Sequence, residues 1–218
     1  PGLVALERIV GQYRGVAVKL SPGADFDELP FECEVELISE RGECRQAVAW
    51  TGGFREVHRR ATVLPSGESL SARPGELLDW PDARPPEVGE WLYEPDPAVI
   101  RAGLVGVLAR RLGLVPVDGH IAWLTGAGPI HNGLMHSFRV LDLRRWSARP
   151  VRAWLARHDV GPLEVKTRGF AAAPEAVLKR LRPAGQRPAV LFLTRLGERP
   201  TAILAERPQP PDSAFGSS

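Results

Sequence analysis

The sequence predicts an α/β (α+β) protein. Three observations carry that expectation: a βαβαββ order over residues 138–207, a two-residue alternation at 32–39, and a long apolar helix face between Asp96 and Gly113. With 218 residues and 44% hydrophobic content, the chain can bury a core in one or two domains.

Residues 3–10, LVALERIV, carry apolar side chains at helical spacing and stop near Gly11. Residues 15–20, GVAVKL, form a short apolar run with β-branched residues, which reads as a buried and parallel-type strand ended by Ser21-Pro22-Gly23. ECEVELIS alternates Cys33, Val35 and Leu37 with Glu32, Glu34 and Glu36, so a strand with a solvated acidic face is expected. Residues 43–50 read as a weak helix, 58–64 as a strand, and 65–68 as a hairpin turn.

From Arg73 to Glu90 the composition shifts to Pro74, Pro81, Pro85, Pro86 and five acids, the profile of a linker (74–90). Asp96 then suits an N-cap and Pro97 the first helical position, where its missing N–H costs nothing. Ile100, Leu104, Val107, Leu108 and Leu112 trace one helix face, and Gly113 supplies the stop. A strand at 121–124 and a loop at 125–136 follow.

Over 138–207 the order is strand 138–143, a helix after Ser147, strand 163–167, a helix from Pro174, and strands 189–194 and 201–205. Val151, Trp154, Leu155 and His158 face inward on the first helix, and Val177, Leu178 and Leu181 on the second. The tail, 208–218, has a disordered composition.

Charge is unevenly spread. Residues 1–138 hold 13 Lys+Arg against 19 Asp+Glu, whereas 139–207 hold 15 against 6, a local balance of +9. A basic segment beside an acidic remainder is the footprint of nucleic-acid contact. Arg enrichment through codon bias is the competing explanation, since only Lys19, Lys166 and Lys179 are lysines. The longest apolar stretches are short and interrupted by charge, so no membrane-spanning helix is expected. Cys33 and Cys44 fit neither a metal spacing nor a disulfide framework, which suits a reducing cytoplasm. His131 and His136 share a loop without a third ligand at convincing spacing, so no metal site is expected.

Several stretches carry a family resemblance. FRVLDLRRWSARPVRAWLARHDVGPLEVKTRGF, PEAVLKRLR and PAVLFLTRLGERPTAILAER resemble the THUMP-like carboxy-terminal domain of a bacterial class I S-adenosylmethionine-dependent methyltransferase family. WLYEPDPAVIRAGLVGVLARRLGL resembles the small ferredoxin-like segment before it, and GVAVKLSPGADFDELP, CEVELISERGECRQAVAW and RRATVLP resemble the last strands of the Rossmann-like methyltransferase sheet. The resemblance divides the chain into 1–73 (end of the methyltransferase domain), 74–90 (linker), 91–137 (ferredoxin-like) and 138–207 (THUMP-like).

The family's donor-binding unit is a strand, a Gly-rich loop and a helix, with a downstream acid on the ribose hydroxyls. No such unit is legible here: AGLVG at 102–106 lies in the predicted helix, and Gly126-Ala127-Gly128 leads into no helix. The resemblance therefore implies a fragment, starting at Pro1, that lacks catalytic residues and binds no S-adenosylmethionine itself, the donor belonging to a longer parent. An incomplete sheet edge there would invite self-association.

The resemblance places Lys19, Ser21 and Pro22 beside the active-site face of the sheet, against the alternative of a plain strand end with a solvated Lys. Lys166, Arg168 and Phe170 are expected in line on one strand, able to clamp phosphate and stack a base, unless Phe170 is core. Lys179, Arg180 and Arg182 would extend that surface along a helix, and Arg144, Arg145 and Arg149 flank a helix start that attracts phosphate. Trp123, Trp146 and Trp154 are expected to pack. The implied partner is RNA; a structural or protein-interaction module, or a parent methylating a small molecule or protein, are the other readings.

Overall fold

A computed structural model describes residues 2–76 and 87–208. Most of the predicted linker and the tail from 209 lie outside the described residues. The chain forms two compact units: one of Pro1–Pro81, Glu94–Leu114 and His131–His136, the other of Asp82–Tyr93, Val115–Ile130 and Ser137–Ser218.

The first unit opens with helix α1 (Leu3–Gln12), none of whose residues is buried. Strands β1 (Ala17–Leu20), β2 (Cys33–Glu40), β3 (Glu43–Thr51), β4 (Arg59–Leu64) and β5 (Glu68–Ala72) form a sheet in the order β1-β3-β2-β4-β5. Only β2 and β4 run parallel. Two expectations fail here. GVAVKL is an edge strand antiparallel to β3, with Ala17 and Lys19 exposed, because β1 ends the sheet and pairs with β3 alone among the described strands. Residues 43–50 are strand, not helix: Arg41 and Gly42, both at positive φ (52° and 79°), join β2 to β3 by a two-residue hairpin. Such turns match the right-handed twist of the flanking strands, and the hairpin forces 43–51 into the sheet.

After β6 (Trp91–Pro95) come α2 (Pro97–Arg101) and α3 (Val105–Leu112). Asp96 caps α2 by accepting the Ala98 N–H at 2.8 Å, and Gly113 ends α3 in the left-handed region, as predicted. The single predicted helix is nevertheless two, since Gly103 at φ +71° breaks it. α2 packs on β2, β3 and β4, where Val35, Leu37, Ala47, Ala61, Ala98 and Val99 are fully buried.

The second unit adds β7 (Val115–Asp118), β8 (Ile121–Gly126), β9 (Met135–Arg145), α4 (Ala148–Arg157), β10 (Val160–Thr167), α5 (Pro174–Leu181), β11 (Arg187–Leu196) and β12 (Arg199–Glu206). The βαβαββ order from β9 to β12 is the predicted one. The sheet runs β10-β11-β12-β9-β6-β8-β7, with β10 and β11 parallel. Residues 91–137 are shared between the units: α2 packs on the first sheet and α3 belongs to the same unit, whereas β7 and β8 lengthen the second sheet.

One face of this sheet is covered by α4 and α5, through Val151, Trp154, Leu155, Val177 and Leu181. His158 caps the end of α4, half-buried, and Leu178 is exposed at 39%. The other face curls on itself. Trp123 of β8 meets Phe192 of β11 edge-on at 5.0 Å, although β12, β9 and β6 lie between those strands in the sheet. Phe138 joins them 4.9 Å from Phe192, and the Asp118 carboxylate accepts the Gly197 N–H at 2.8 Å across the curl. Curling lets apolar side chains of one face bury one another without a covering layer.

Candidate nucleic-acid interface

The predicted basic residues fall into three settings. At the junction of β9 and α4, Arg144 lies 4.5 Å over the Trp154 ring and pairs with Asp142 at 3.1 Å. Asp142 also accepts the Trp154 indole N–H at 2.7 Å and the Leu143 N–H at 2.7 Å. Burial pushes the Asp142 carboxyl upward, but these donors and the Arg144 charge outweigh it and hold it below its ordinary value. Arg144 is thus committed inside the fold. Arg145 and Arg149 are exposed and make no ion pair among the described residues. Ser147 stands at the start of α4 in extended conformation, but its hydroxyl caps nothing.

At the end of β10, Lys166 and Arg168, the residue just past the strand, do share a face, and it is the curled one. Lys166 lies 6.0 Å over Phe138 and 3.2 Å from Glu164, and Arg168 lies 5.7 Å over Trp123. Phe170 is not in line with them. It packs on the helix-covered side, edge-on to Trp146 at 5.5 Å, because Gly169 at φ +63° turns the chain after the strand. The expected cation–cation–aromatic row does not form.

On α5, Lys179, Arg180 and Arg182 are exposed. Arg182 ends the helix at positive φ and donates to the Lys179 carbonyl at 3.3 Å. Phe170 and Arg180 meet two residues the sequence did not mark for binding, Trp146 and Arg195, around an apolar cleft of about 350 Å³. Trp146 reads as core from sequence because nothing local distinguishes a buried indole from one lining a cleft. Arg195 is brought there by the β11–β12 hairpin, a contact without a sequence signal.

A larger concavity of about 990 Å³ lies where β10 and β11 begin and β12 ends. Its guanidinium groups are paired with carboxylates: Arg207 with Glu164 at 2.7 Å, and Arg139 and Arg187 with Glu206 at 3.7 and 3.8 Å. In the first unit, Ser21 accepts the Gly23 N–H at 3.2 Å and the Pro22 carbonyl accepts from Arg101 at 2.6 Å, so both serve the turn after β1. Lys19 is exposed on the sheet edge. Among the described residues no three His, Cys, Asp or Glu side chains cluster as metal ligands, and no helix is long and apolar enough to cross a membrane.

These features define an α/β chain whose carboxy-terminal βαβαββ module is a basic, helix-covered and curled sheet. Residues 135–207 match the family of THUMP domain-like domains. Over 209 residues the chain is 40% identical to two proteins named uncharacterized S-adenosylmethionine-dependent methyltransferases, from Mycobacterium tuberculosis strains CDC 1551 / Oshkosh and ATCC 25618 / H37Rv. The match covers 90% of this chain and 54% of each relative, so the chain spans about half their length. A Porphyromonas gingivalis W83 crystal structure, of a protein provisionally described as a methyltransferase, shares the fold with a TM-score of 0.80 over 94% of this chain and 54% of its own, at 16% identity.

Proposed function

We propose that this chain is the substrate-recruiting portion of an S-adenosylmethionine-dependent methyltransferase acting on RNA, with the THUMP-like module holding the RNA. One observation carries the reading: the segment matching the THUMP-like family is also the basic one, +9 over 139–207, and Arg145, Arg149, Lys179, Arg180 and Arg182 stand exposed on it. Cations of this kind contact phosphate and position RNA without reading its sequence. In this reading Lys19, Ser21 and Pro22 border the catalytic domain's active face.

The described residues do not fit the methyl donor. A donor cradle needs a close backbone approach left open at a glycine loop. At Gly52, Gly89, Gly161 and Gly185 the space a side chain would take is filled by the chain's own backbone, and Gly126 to Gly128 lead to β9 rather than to a helix. No step of methyl transfer is derived from these residues, and the donor's cradle is assigned to the parent enzyme. Calorimetric titration of the 218-residue chain with S-adenosylmethionine is expected to give no micromolar binding.

Binding of structured RNA should weaken as salt rises, because each phosphate neutralised releases counterions. With three or four phosphates held, log affinity should fall with log salt at a slope of roughly −2 to −4. No binding at low salt would end the RNA reading. A second reading, a module that packs on the methyltransferase domain without touching RNA, is favoured by the engagement of Lys166 and Arg168 over Phe138 and Trp123. Charge reversal at Arg145, Arg149 and Lys179 separates the two: RNA binding is lost under the first and nothing changes under the second.

A further inference from the structure

We infer that the cleft between Trp146, Phe170 and Val177 takes the base of an unpaired nucleotide, with Arg180 and Arg195 holding its phosphate; this rests on the RNA reading above. The cleft has one aromatic wall, the Trp146 indole braced edge-on by Phe170 at an interplanar angle of 81°. Its floor is apolar, formed by Ala172 and Val177. The bracing matters. Phe170 itself packs against the helix-side core, so Trp146 is held in place before any ligand arrives. A preset platform loses little freedom when a base stacks on it.

Charge at the mouth selects the class of occupant. Arg180 makes no ion pair among the described residues, and Arg195 has only a solvent-exposed partner, Glu198, at 3.3 Å. A phosphate can displace such a surface carboxylate, because exposed pairs are worth little. The larger concavity at the strand ends offers no comparable vacancy, since its guanidinium groups already hold Glu164 and Glu206. At about 350 Å³ the cleft sits near the lower end of ligand-sized cavities. That size admits one flat ring with its sugar edge and excludes a stacked base pair. A base paired in a duplex cannot enter, so the cleft favours unpaired RNA over double helix.

The test uses the 218-residue chain and two fluorescently labelled RNAs: a ten-nucleotide single strand, and a blunt-ended duplex of the same strand with its complement. Anisotropy titrations at low salt should show tighter binding of the single strand. Trp146→Leu, which keeps apolar bulk but cannot stack, should weaken single-strand binding by roughly 5- to 160-fold, the range base–aromatic stacking covers. It should leave the duplex affinity unchanged. Arg180→Glu and Arg195→Glu, both at exposed positions, keep the test independent of core packing and should act in the same direction. If both RNAs bind equally and all three variants bind like the parent, the cleft inference is overturned while the RNA reading stands. If neither RNA binds, both are overturned.

Discussion

Replacing Trp154 with Ala is expected to cost the second unit about 3–5 kcal/mol, the usual range for deleting a buried Trp. The indole is 1% exposed, in the cluster that joins α4 to β11 and β12. The loss goes beyond volume. Asp142 loses the indole N–H at 2.7 Å, and Arg144 loses the ring beneath its guanidinium. Trp154→Phe keeps most of the volume and the ring but removes the N–H. It should cost roughly 1–3 kcal/mol, as losing a hydrogen bond to a charged group does, and should raise the Asp142 pKa, because one donor to its carboxylate is gone. Two units can open separately, so hydrogen exchange at the α4 and β11 amides is the suitable readout. Unchanged protection in Trp154→Ala would mean that α4 is not anchored through this residue.

The helix that carries Trp154 was legible in the sequence, and the reason is local. Val151, Trp154 and Leu155 recur at helical spacing after a clear strand, and the structure buries all three as that spacing requires, although the Ser147 hydroxyl does not cap the helix as expected. The same held for the Asp96 cap and the Gly113 stop. What failed depended on distant partners. Alternation at 32–39 was correctly a strand, but the solvated acidic face was not. Glu36 receives the Trp50 indole N–H and the Thr62 hydroxyl, and Glu34 is buried under the chain leading into β4. The helix reading at 43–50 overlooked a turn signal, Arg41-Gly42, that sits outside the segment itself.

The candidate site was half legible. Composition located the basic stretch, and strand periodicity placed Lys166 and Arg168 on one face. Periodicity could not say that this face curls inward onto Phe138 and Trp123, because the curl is held by ring contacts of Phe192 on β11 with Trp123 and Phe138, more than fifty residues away in sequence. Arg144 shows the same limit. Beside Arg145 in sequence it looks like an equal phosphate contact, yet the two-residue alternation of β9 turns one guanidinium onto Trp154 and the other to solvent.

Glu34→Gln is expected to destabilise the first unit by about 3 kcal/mol, the low end for breaking a buried pair by removing one charge. Glu34 is 2% exposed and accepts three hydrogen bonds: from Arg60 Nε at 2.6 Å and from the backbone N–H groups of Glu56 and Val57 at 2.9 and 3.1 Å. The amide can still accept from the backbone, but its NH₂ end would oppose the guanidinium. Arg60 keeps 25% exposure, and water there softens the loss. The pH dependence follows from the same contacts. Burial by itself pushes the Glu34 carboxyl upward, but Arg60 and the two N–H groups more than reverse this and hold it below the ordinary glutamate value. A carboxyl lowered by folding stabilises fully above its unfolded-state pKa, about 4.3, and that contribution disappears as pH falls from there through the lower folded value. The parent protein should therefore lose stability in the first unit below about pH 4, and Glu34→Gln should lose less over the same window. Urea unfolding followed through hydrogen exchange of the β2 and β4 amides, at neutral pH and near pH 3, measures both. Equal acid sensitivity in the two proteins would show that other carboxylates, not Glu34, govern the acid limb.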